Sequence, residues 1–226
     1  MGFFFVFGAI FLVASNLAIL LAIGEGVRRK LVLEVSILIT VFFTSSFFHL
    51  CQVEVFCFDV DAKDWQRADH FVVYVALIWF AMYFADIPER TRAAVTFFLL
   101  PVLLLLVSKH LNEMIVTIVV VSIVVLMIIL GVEYAWFSRG IFEVQWSALL
   151  VSVLFLAAGV VLHLVGGDYK NGEGIYPLYH SFWHVLAMIS LFFILGSRDT
   201  FAPPPPKKQK KERKKRRKKR EKSAPV

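Results

Sequence analysis

Long apolar runs are the feature that most limits what this chain can fold into. They fall at approximately 3–24, 31–50, 69–86, 93–108, 114–132, 144–165 and 175–196. About 20 apolar residues cross the hydrocarbon core of a bilayer as one helix. Barrel strands would alternate apolar and polar residues, and these runs do not. The expected fold class is an all-α integral membrane protein, a seven-transmembrane-helix bundle. At 59% hydrophobic residues, a water-soluble domain could not hide so much apolar surface. The fourth run is the shortest and contains Pro101; it counts as a span because removing it would break the charge pattern of the others. The first has no charged leader and no small-residue cleavage site, so it reads as a retained helix rather than a signal peptide.

Charge sets the orientation. Arg28, Arg29 and Lys30 follow the first run, Arg90 and Arg92 the third, Arg139 the fifth and Arg198 the seventh. Of 24 Lys and Arg, only Lys63, Arg67, Lys109 and Lys170 fall on the other side. Basic loops stay cytosolic, which places the N-terminus outside and the C-terminus in the cytosol. The net charge of +7 belongs to one segment: Lys207–Lys222 carries 13 basic and 2 acidic residues, leaving −4 for the remainder.

The chain therefore divides into a bundle, 1–199, and a tail, 200–226. Pro203–Pro206 opens the tail as an extended spacer. The block that follows (Lys207, Lys208, Lys210, Lys211, Arg213, Lys214, Lys215, Arg216, Arg217, Lys218, Lys219 and Arg220) has no apolar face and reads as disordered. Two roles suit it: adhesion to anionic inner-leaflet lipid, at about 1 kcal/mol per basic residue, or fixing the topology. Seven spans argue against a nucleic-acid partner. There is no internal repeat, no GxGxxG and no P-loop. The acidic loop with Glu54, Asp59, Asp61 and Asp64 lacks the EF-hand spacing.

All six histidines fall at the outer end of these runs: His49, His70, His110, His163, His180 and His184. Polar residues at membrane depth are costly and usually functional. Ser45 and His49 are four apart at the end of the second run, and His180 and His184 four apart at the start of the seventh. Each pair shares one helix face, and Asp69 opens the third run at similar depth. Three neutral imidazoles and a water make a four-coordinate Zn²⁺ site of the catalytic kind. A carboxylate such as Asp69 can orient a ligand or deprotonate that water, and the Ser45 hydroxyl can stabilise an oxyanion. His70, His110 and His163 read as interfacial residues touching water. Cys51 and Cys57, in the loop after the second run, lie in a compartment that permits a disulfide; two unpaired thiols are the alternative.

Two stretches carry a resemblance. One runs from Arg28-Arg29 through Glu34, Phe42-Phe43, Ser45 and His49-Leu50-Cys51 to Cys57, and the other is Tyr176 with His180-Ser181-Phe182-Trp183-His184. Both are similar to the transmembrane-protein-8 family, which includes myomaker-like muscle-fusion proteins. That family belongs to the CREST superfamily, together with alkaline ceramidases and progestin and adiponectin receptors. The resemblance covers about 1–199. Ser45, His49, Asp69, His180 and His184 match the family pattern of serine, histidine, aspartate and His-x-x-x-His. The basic tail, which has no cysteine, departs from the acylated tail of vertebrate myomaker.

The resemblance implies a plasma-membrane protein that promotes cell–cell (myoblast) fusion by remodelling lipid, acting with a second fusion protein. The alternative is a zinc-dependent lipid hydrolase, with His49, His180 and His184 on the metal, Asp69 as base and Ser45 on the oxyanion. A receptor or channel fits less well, since the inner loops are short and the polar groups cluster at one end. Gly8 and Ala9, or Ala157, Ala158 and Gly159, allow close helix contacts within the bundle or in a homodimer.

Overall fold

A computed structural model of the chain describes residues 3–85, 87–108, 116, 119–120, 122–126, 129, 145–166 and 176–197. The expected fifth span, His110 and the basic tail lie wholly or largely outside these residues. The described part is all helical, with no strand. Its long helices are α1 (Phe3–Ala14), α2 (Ile19–Arg28), α3 (Val32–Gln52), α4 (Ala62–Phe84), α5 (Glu89–Ser108), α6 (Trp146–Gly166) and α7 (Tyr176–Gly196). A 3-10 turn, Ser15–Ala18, joins α1 to α2. Among the described residues, six helical stretches are long and apolar enough to cross a membrane, the first of them Phe7–Arg28 through that turn. The protein is therefore membrane-embedded.

Local chemistry explains the breaks. Ser15 Oγ donates to the Leu12 carbonyl at 2.7 Å, and such back-bonding competes with the helix ladder and often bends the helix. α2 and α3 both end in a Schellman motif. Leu31 N donates to Gly26 O at 2.9 Å, and Lys30 sits at φ 59°. Likewise Val55 N donates to Leu50 O at 2.9 Å, with Glu54 at φ 59°. α4 begins at Ala62 rather than near residue 69. Its first turns carry Lys63, Asp64, Gln66 and Arg67, with an Arg67–Asp64 ion pair at 2.6 Å. Polar periodicity there hides the helix from a search for apolar runs. α5 runs through Pro101 without ending.

α7 is the hub, packed against α6, α2 and α1, while α3 lies between α2 and α4, and α5 packs on α4. Gly159 receives the Trp183 ring: a Cβ there would stand 2.9 Å from Trp183 Cε3. Gly8 is similarly close to Pro177. Both glycines thus serve packing inside the bundle. Ser152 and Ser190 hydroxyls, 2.8 Å apart, link α6 to α7. One apolar core joins Ile19, Leu38, Val41, Phe80, Tyr83 and Leu195. A second, around Ile78, Trp79, Met82 and Leu103, sits between α4 and α5. The backbones of α3 and α7 barely touch, so what spans the gap between them must be side chains.

Candidate metal centre

Imidazoles fill that gap. His49 from α3 and His180 and His184 from α7 are all buried, and one nitrogen from each lies within 4.8 Å of the others. Their ring centroids are 4.6 to 5.1 Å apart. Among the described residues this convergence takes in three histidines and no carboxylate. The i, i+4 spacing of His180 and His184 puts both rings on the α7 face towards α3, as the sequence led us to expect.

Hydrogen bonds assign the nitrogens. His49 Nδ1 is 2.9 Å from Gln52 Oε1, an acceptor, so Nδ1 carries the proton. His184 Nδ1 is 3.1 Å from Ser15 Oγ. Ser15 gives its own hydrogen to Leu12 O, so here it accepts, and His184 Nδ1 is protonated too. Both Nε2 atoms then hold lone pairs, and they face each other at 3.4 Å. Two lone pairs do not attract. A shared cation resolves the arrangement: tetrahedral Zn²⁺ with Zn–N near 2.0–2.1 Å places its nitrogens roughly 3.3 Å apart. His180 Nδ1 is buried with no hydrogen-bond partner, which suits a third ligand. The residues fit the ion.

Asp69 lies buried on α4, beside the Ser45 and Thr44 side chains of α3. Its Oδ1 is buried and unpartnered. This neighbourhood with Asp69 was not indicated by spacing alone. Ser45 is itself buried, one turn from His49. His163 is exposed, yet its ring centroid is 5.4 Å from that of His180, so it borders the cluster rather than standing apart from it. Leu12, Val53 and Tyr176 form an apolar cap at this end, with Tyr176 stacked on His180 at 4.8 Å. Cys51 and Cys57 are joined as a disulfide two residues beyond His49.

Two supporting residues escaped the sequence reading. Ser15 could have been found from the Ser15-Asn16 pair interrupting an apolar run. Gln52 sits three residues after His49, one helical turn on, where it can reach back to the ring. A second buried cluster was also missed. Glu34 accepts from Arg92 Nη2 at 2.8 Å and from Trp79 Nε1 at 3.1 Å, and the Arg92 guanidinium lies over the Trp79 and Tyr83 rings. It joins α3, α4 and α5 far from the histidines along the helices. At the same end Glu25 pairs with Arg28 and Arg29, and Arg29 Nη2 reaches Gly196 O at 3.1 Å.

A family described as "Protein of unknown function (DUF3522)" matches residues 5–185, and the chain belongs to it. No curated protein matches the chain.

Proposed function

We propose that this member of the DUF3522 family is a zinc-dependent hydrolase of membrane lipid, cleaving an amide or ester. The observation that carries the reading is the convergence of His49, His180 and His184 with two of their three Nδ1 atoms already engaged. Zn²⁺ bound there would supply a Lewis acid and a water of lowered pKa. Gln52 and Ser15 hold two rings in the tautomer that leaves Nε2 free, the outer-shell arrangement that fixes such ligands. Asp69, whose Oδ1 is buried and unpartnered, would accept a proton from the attacking water, with Ser45 beside its carboxyl. A lipid substrate follows from depth, since an acyl chain can enter between helices whose outer faces already meet lipid.

In this reading the bundle has seven spans, an external N-terminus and a cytosolic polybasic tail on anionic lipid, and it resides in the plasma membrane. The match of Ser45, His49, Asp69, His180 and His184 to the transmembrane-protein-8 pattern supports a second role, cell–cell fusion alongside a partner protein. The two are compatible.

The test is metal content of purified protein beside His180→Ala. About one zinc per chain, as a three-histidine site binds, and loss of it in the variant are expected. No zinc in a folded wild type would remove the hydrolase. Asp69→Asn then separates the roles: it should keep the metal and abolish lipid cleavage. Fusion that persists in that variant would not require catalysis.

A further inference from the structure

The loop between α3 and α4 presents apolar side chains where a water-facing turn would carry polar ones. Val55 is 68% exposed, Phe56 51% and Phe58 47%. Soluble surfaces rarely gather such residues without a partner. The loop is also rigidly built. Cys51–Cys57 closes it, and Trp65 Nε1 donates to Cys57 O at 2.9 Å. Phe58 and Asp59 adopt φ of 53° and 55°, a left-handed conformation that is unusual for a bulky residue. Such conformations persist only where the surroundings over-determine them. Here the strained turn seats the Phe58 ring on Phe47, with centroids 4.7 Å apart.

That contact connects the loop to the lipid-facing side of α3. Phe43 is half exposed on a membrane-spanning helix. From it the rings run Phe43 to Phe47 at 5.9 Å, Phe47 to Phe58 at 4.7 Å and Phe58 to Phe56 at 4.0 Å. One aromatic stripe therefore climbs from the hydrocarbon face of α3 onto the loop. Glu54, Asp59 and Asp61 alternate with the apolar residues and are exposed as well. Apolar rings flanked by exposed carboxylates suit the boundary between hydrocarbon and headgroups, where side chains with an apolar body beside polar groups gather.

We infer that the disulfide-closed loop 51–60 is an interfacial anchor, its Val55, Phe56 and Phe58 side chains embedded in the leaflet at the histidine end of the bundle. The occupant of the patch is the lipid in which the protein already sits. A protein partner there would have to displace a surface continuous with the hydrocarbon face. The anchor fixes the depth of the end of α3, and with it His49. It does not depend on metal or on hydrolysis.

The experiment places tryptophan at the patch, as Phe56→Trp and separately Val55→Trp, in full-length protein in phosphatidylcholine nanodiscs. The parent spectrum is subtracted, and resistance of Cys51 and Cys57 to alkylation confirms an intact loop. The added emission should be shifted to the blue. It should be lost with phosphatidylcholine brominated near the top of an acyl chain, and unchanged by aqueous iodide. Red-shifted emission quenched by iodide but not by brominated lipid, in both variants, would overturn the anchor and leave the patch as a surface for another protein.

Discussion

Replacing Ser15 by alanine isolates what one hydroxyl does for the proposed metal centre. In the wild type, Ser15 Oγ accepts from His184 Nδ1 at 3.1 Å and donates to Leu12 O. Metal ligation by Nε2 requires the proton on Nδ1. In Ser15→Ala that Nδ1–H is buried without an acceptor whenever metal is bound, a penalty of about 1–3 kcal/mol. The metal-free variant escapes it, because His184 can move its proton to Nε2 and donate to His49 Nε2, 3.4 Å away. The loss of the Leu12 hydrogen bond is common to both states and cancels. At about 1.4 kcal/mol per tenfold, zinc affinity should fall roughly 5- to 150-fold, a range that brackets the 10–100-fold usual for outer-shell partners. Competitive chelator titration of the purified protein reads this directly, with Ser36→Ala, an exposed hydroxyl bonded only to Val32 O, as control. An unchanged affinity in a folded Ser15→Ala protein would refute the tautomer argument.

Three further perturbations test the packing. Glu34→Gln removes the carboxylate paired with the buried Arg92 and should destabilise the protein by about 3 kcal/mol, measured by thermal unfolding; Glu34→Gln with Arg92→Gln should recover part of the loss. Gly159→Val forces a Cβ against Trp183, where 2.9 Å is available, and should lower stability by about 1–3 kcal/mol in the same assay. Ser152→Ala removes an interhelical hydrogen bond between buried serines but should cost only about 0.6 kcal/mol. A larger loss than Glu34→Gln would reverse the ranking argued here.

The helices and the three imidazoles were legible because they follow short-range rules. Span length is a property of consecutive residues, and the turn spacing of His180 and His184 fixes a shared face. His49 joins them through depth alone: α3 ends, and α7 begins, at the same end of the bundle. What escaped the sequence depends on tertiary contact. Nothing local connects Ser15 to His184, 169 residues away, or Glu34 to Arg92. The early start of α4 at Ala62 was obscured because its first turns are polar. Asp69 was singled out by depth, but the side chains beside it, Ser45 and Thr44, are set by the packing of α3 on α4.

The bridge between α3 and α7 also bears on how the molecule is made. Domains emerge from the ribosome N-terminal end first, so Ser15 and His49 reach the membrane long before His180 and His184. The backbones of the two helices barely touch, and the ligand set stays incomplete until the last of these helices has inserted. Early in biosynthesis His49 has no partner histidine, so tight capture of the proposed zinc would wait for that final insertion event. With zinc at the site as proposed, loading of the ion would serve as a timestamp of completed assembly. A chain stalled before α7 would be marked as immature by being unable to retain zinc.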